Sequence, residues 1–162
     1  MIGKNRVRLV LVILFVSSSI NLINAQEAKS QEVEFNSNAI YGNVGSGGLY
    51  VTATGYFERM IKQKMWNRNI SSFMRVGFGA EAHWEGGGMY VLAQYGLLTG
   101  AKTHHLEIGL GPSYFISGDL KGDVPPISGT VGWRIQKPGG NFIFRMGASW
   151  PEAVYLGLGF SF

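Results

Sequence analysis

The stretch Val154–Phe162, VYLGLGFSF, decides how this chain must be read. Val154, Leu156, Leu158, Phe160 and Phe162 alternate with Tyr155, Gly157, Gly159 and Ser161. A period of two puts the large apolar set on one face of a strand and the smaller set on the other. The apolar face needs either a protein core or another apolar medium, because exposing it to water is unfavourable.

The same alternation recurs upstream. Eight runs carry it: Asn38–Val44, Leu49–Ile61, Ser71–Trp84, Met89–Leu98, His104–Ile116, Ile127–Ile135, Asn141–Ser149 and Val154–Phe162. Breaker-rich connections separate them, namely GSGG, KQKMWNRN, EGGG, TGAKT, SGDLKGDVPP, QKPGG and WPEA, and the glycine pieces are expected to be turns. Connections this short imply antiparallel neighbours, hence an up-and-down meander. The longest, Gly118–Pro126, is expected to protrude.

Parity divides the runs into two faces. One carries Ile40, Val44, Val51, Ala53, Phe57, Met74, Val76, Phe78, Ala80, Val91 and Leu97. Leu106, Ile108, Leu110, Tyr114, Val131, Trp133, Phe142, Phe144 and Met146 continue it. The other face carries Glu58, Arg75, Glu81, Gln94, Glu107, Arg134 and Arg145, interleaved with glycines. A soluble sheet would put these charges in water, yet glycines weaken a surface strand and give it nothing to pack.

An inverted barrel accounts for both features. Eight strands enclose an interior that side chains can fill. Glycines leave room for side chains crossing the lumen, and arginine pairs with carboxylates through its fork. The apolar face then meets lipid, where a misplaced Arg or Lys costs roughly 2–4 kcal/mol at the midplane. The fold expected is therefore all-β, an eight-stranded antiparallel up-and-down transmembrane β-barrel over 38–162. Phe57, Tyr95 and Trp133 fall near one set of strand ends and Trp84 and Tyr114 near the other, the interface aromatics such a barrel needs.

The first residues have a different character. Lys4, Arg6 and Arg8 precede LVLVILFV and a polar stretch closing on Ile23-Asn24-Ala25, the layout of a secretory signal cleaved after residue 25. Its apolar run is too short for a membrane-spanning helix. Residues 26–37 read as a flexible lead-in. The whole chain has 14 Lys+Arg against 10 Asp+Glu, and removing those three bases cuts the excess from four to one. The basic balance therefore carries no nucleic-acid inference. The absence of cysteine excludes disulfides, thiol catalysis and Cys-ligated zinc.

Three segments carry a likeness. NAIYGNVGSGGLYVTATGYFERMI (38–61), KTHHLEIGLG (102–111) and GGNFIFRMGASWPEAVYLGLGFSF (139–162) resemble the small outer-membrane β-barrel proteins common in Bacteroidetes. The resemblance implies an outer-membrane location and periplasmic termini. It also implies that Phe162, supported by Phe160 and Leu158, is the signal read by the barrel assembly machinery.

The most site-like stretch is His104-His105-Leu106-Glu107, since His105 and Glu107 share a face and a carboxylate-oriented His is a base or metal-ligand arrangement. Small barrels that trim lipid acyl chains use a His with a Ser, but no G-x-S-x-G context is present here. Asp119 and Asp123 lack calcium-loop spacing and its closing Glu, and GSGG and EGGG lack the setting of a phosphate loop. The expectation is a monomer without enzymatic activity, cofactor or metal, whose partners are outer-membrane lipid and the assembly machinery. Its Arg and Glu side chains would plug the lumen, giving a structural or interaction role. A lipid-modifying barrel enzyme or a narrow gated pore is the alternative.

Overall fold

A computed structural model of the chain describes residues 35–100, 102–122 and 124–162. The expected signal over 1–25, the lead-in up to residue 34, and Asp123 lie outside the described residues. The strands are β1 Asn38–Ser46, β2 Tyr50–Lys62, β3 Ile70–His83, β4 Gly86–Thr99, β5 His104–Gly118, β6 Ile127–Ile135, β7 Phe142–Trp150 and β8 Ala153–Ser161. Each pairs with its chain neighbours, and β8 returns to β1 to close the barrel. All eight pairings are antiparallel. Closure leaves no row of unpaired backbone groups, the condition for strands to cross an apolar layer.

The closing strand is paired along its length on both sides, Ala39 to Ser46 against Ser161 to Val154, and Phe142 to Ser149 against Phe160 to Ala153. Asn38 and Phe162 exchange backbone hydrogen bonds of 3.0 and 2.8 Å, so both ends of the barrel sequence meet at one rim, here the terminal end. The nine-residue strands β1, β6, β7 and β8 are about the length a tilted strand needs to cross a bilayer core.

Side chains alternate as parity predicts, with the apolar set outside. Val154, Leu158 and Phe160 are 67, 58 and 65% exposed, whereas Arg75, Arg134 and Arg145 are at most 2% exposed. Lys62, the last residue of β2, joins Arg59 as a strand-borne charge outside the lumen.

Two expected connections behave differently. Gly86–Gly88 of EGGG are not turn residues: they open β4, with Gly87 opposite Ala82 and Gly88 opposite Glu81, leaving Trp84 and Glu85 as the connection. The strands crowd there, since a Cβ on Gly88 would lie 2.3 Å from the Ser117 carbonyl oxygen. The loop after Gly118 does not protrude freely either. Leu120 and Val124 pack on a buried cluster that includes Tyr56, Tyr90, Leu92 and Phe115, because two apolar side chains at the barrel mouth gain by covering it.

The terminal end is filled from the other direction. Phe35 is buried with Phe73 and Leu98, Met60 packs against them, and the Phe35 ring meets His105 edge-on at 5.0 Å. Gln63 ties the segment down, accepting from the Phe35 N–H at 2.8 Å and donating to its carbonyl at 3.0 Å.

Candidate functional site

The lumen places Glu58, Arg75, Glu81, Gln94, Glu107, Arg134 and Arg145 inside the barrel, all buried. Six of the seven form one network. Glu107 on β5 is its centre: Oε1 accepts from Arg75 Nη1 at 2.6 Å and from Arg145 Nη2, and Oε2 accepts from Arg145 Nε at 3.1 Å. Arg134 Nη1 lies 3.7 Å from Glu107 Oε2 and donates at 2.6 Å to Glu58 Oε1, from β6 to β2 across the barrel. Tyr41 donates to the other Glu58 oxygen at 2.8 Å and accepts from Arg75 Nη1 at 3.2 Å. Gln94 Oε1 accepts from Arg75 Nε at 2.7 Å and from Thr130 at 3.2 Å.

This wiring answers an electrostatic problem set by the register. Arg134 and Arg145 stand directly opposite each other on β6 and β7, and like charges so placed repel. Both are fully buried, where an uncompensated charge is very costly. Glu58 and Glu107 approach the guanidiniums from other strands and compensate them. Aromatic rings cover the remaining faces: the Arg145 guanidinium carbon lies 4.2 Å from the Tyr41 ring centroid and that of Arg75 lies 5.2 Å from the Tyr56 centroid.

Glu81 faces the same lumen but stands apart from these pairs. It lies six residues along β3 from Arg75, roughly 20 Å at strand rise. It faces His83 at 3.6 Å near the distal mouth, where Asp119 reaches the same His83 nitrogen at 3.6 Å. The third carboxylate of the network is one that strand parity missed, Glu152 in the β7–β8 connection. It is 1% exposed and accepts from Ser149 at 2.7 Å and Asn43 at 3.2 Å, while Asn43 accepts from Arg145 at 3.4 Å. Asn43 thus joins Arg145 to Glu152.

Lumen glycines sit opposite rings and amides. Tyr41 faces Gly159, Asn43 faces Gly157, Tyr56 faces Gly77, Phe73 faces Gly96 and Tyr90 faces Gly79 in the pairing register. A Cβ on Gly79 would lie 2.4 Å from the Tyr90 ring, and one on Gly159 2.2 Å from Tyr41 Cβ and 2.3 Å from the Ile40 carbonyl. The small residues therefore let neighbouring side chains lie flat across the wall, a cross-strand complement of ring and glycine.

His105 is buried near the terminal end, with Nδ1 2.8 Å from the Thr99 carbonyl and Nε2 2.9 Å from the Gln136 carbonyl. Both ring nitrogens are engaged by backbone, and Phe35 covers the ring edge. Among the described residues no group of three His, Cys, Asp or Glu side chains is arranged to hold a metal. On the outer surface, Phe57, Tyr95, Tyr114 and Trp133 are about half exposed and Trp84 is almost fully exposed. Trp133 also donates to His104 at 3.3 Å. Leu158, Phe160 and Phe162 line the outward face of the last strand, with the Phe160 ring 6.4 Å from that of Phe142.

No protein-family profile and no curated protein matches the chain. Among solved structures, the crystal structure of the outer membrane enzyme PagL is similar with a TM-score of 0.47 and 13% identity, over 75% of this chain and 95% of that one.

Proposed function

We propose that the protein is a monomeric outer-membrane β-barrel whose lumen is closed by its own polar side chains and whose role is structural or interactive. The observation that carries this reading is the inversion of the barrel. Its exterior is a band of exposed Val, Leu, Ile, Met and Phe, while its buried interior holds three arginines paired with carboxylates. In water that arrangement exposes the apolar face and buries charge, whereas lipid on the outside makes both favourable. Export through a signal over 1–25 and recognition of Leu158, Phe160 and Phe162 by the assembly machinery belong to the same proposal.

A closed lumen follows from filling it at three levels. Leu120 and Val124 cover the distal mouth, the Glu107 network occupies the middle, and Phe35 occupies the terminal end. The test has two parts. Tagged protein from a Gram-negative host should fractionate with the outer membrane and migrate differently on a denaturing gel before and after boiling; fully soluble material refutes the membrane reading. In planar bilayers the inserted protein should be silent, and steady channel openings would favour the gated-pore alternative.

A further inference from the structure

We infer that the terminal rim of the barrel binds anionic phospholipid headgroups, an inference that rests on the membrane reading above. Arg59, Lys62, Lys64, Arg68, Lys102 and Lys137 are all exposed there, distributed over the end of β2 and all three connections of that end. Among the described residues this rim exposes no Asp or Glu. The distal rim is of opposite character, with Glu85 and Asp119 exposed beside Lys121. Charge is thus segregated by end, which a surface meeting only zwitterionic lipid does not require.

The position of the bases selects the partner. They border the apolar band directly: exposed Ile61 precedes Lys62, and exposed Trp133, Tyr95 and Phe142 lie on the strands leading to the same rim. In a bilayer that height is occupied by headgroups, and phosphate oxygens are the acceptors that ammonium and guanidinium groups pair with most strongly. A ring of bases around a barrel fits a lipid surface better than it fits one compact protein patch.

The β2–β3 hairpin adds a second, independent feature. Its short 3-10 turn, Met65–Asn67, carries Trp66 at φ 54°, ψ 33°, preceded by Lys64 at φ 54°, ψ 56°. For a bulky side chain this left-handed conformation is uncommon, and strained residues of this kind gather at functional positions. The turn projects Trp66, 70% exposed, between Lys64 and Arg68. An indole flanked by cations is the combination that seats a segment among headgroups.

The experiment refolds the chain from Gln26 onward, so that the acids Glu27, Glu32 and Glu34 are included, into phosphatidylcholine vesicles. A small fraction of lipid is brominated phosphatidylglycerol in one set and brominated phosphatidylcholine in the other. Trp66 reports quenching once Trp84, Trp133 and Trp150 are replaced by Phe. The expected result is a relative association with phosphatidylglycerol about fivefold higher for each basic side chain engaged, falling at high salt. The variant R59Q/K62Q/K64Q/R68Q/K102Q/K137Q, altered only at exposed positions, should remain heat-modifiable and lose the preference. Equal quenching by both lipids in inserted protein, or a preference the variant retains, overturns the inference while leaving the membrane barrel intact. Failure to insert into either vesicle overturns both.

Discussion

Removing the charge of Glu107 should unsettle the whole lumen. The substitution Glu107→Gln keeps the shape of the side chain but removes the carboxylate shared by Arg75 and Arg145 and approached by Arg134. Three buried guanidiniums are then left with Glu58 as their one directly bonded carboxylate, and Glu152 is reached only through Asn43. Breaking a buried pair by removing one partner costs about 3–5 kcal/mol. With a urea dependence of about 2 kcal/mol/M, the unfolding midpoint should fall by about 2 M. The assay is equilibrium unfolding of refolded protein in micelles, followed by tryptophan emission and by the boiled–unboiled gel shift. Glu81→Gln is the control: its basic partner is His83 at 3.6 Å, partly exposed at the barrel mouth, so its effect should stay within about 1 kcal/mol. If Glu107→Gln is no more destabilising than Glu81→Gln, the network does not stabilise the barrel and the reasoning fails.

Other perturbations separate the wall from its contents. Gly159→Ala should lower the folded yield, by roughly 1–3 kcal/mol of overpacking, because the new Cβ meets Tyr41 Cβ and the Ile40 carbonyl; Gly55→Ala, with open space around its Cβ, should not. A refolding series read by gel shift distinguishes them. Phe35→Ala should release the stopper at the terminal end, costing about 2 kcal/mol of buried ring. Faster proteolysis near residue 35, with an unchanged barrel core in hydrogen exchange, is the expected reading. Deleting Phe162 should reduce outer-membrane levels in cells more than it reduces refolding in detergent; normal cellular levels would remove its role as an assembly signal.

The division into two faces was legible in the order of residues. Alternation has a period of two wherever a strand forms, so Arg75, Glu107, Arg134 and Arg145 had to share a face opposite Met74, Ile108, Trp133 and Met146. Short connections likewise implied the meander that the closed β1-to-β8 order displays. The VYLGLGFSF stretch carried the main clue, since Val154 to Phe162 leave one side apolar and the other bare of side chain at Gly157 and Gly159. What filled the bare side was less obvious: Asn43 and Tyr41 from β1 lie over Gly157 and Gly159.

Partnership was the part only the tertiary structure decided. Arg134 and Glu58 are 76 positions apart and meet because closure sets β2 and β6 on opposite walls. Nothing in local periodicity encodes which carboxylate crosses to which guanidinium, for that depends on register and stagger summed around eight strands. Glu152, Phe35, Leu120 and Val124 were hidden for a related reason. They sit in connections or the lead-in, where no period constrains direction, and their burial follows from the mouth of a closed barrel standing open to be filled. Sequence alternation thus determined which side chains enter the lumen from the strands, and the closed wall determined what they meet there and what seals them in.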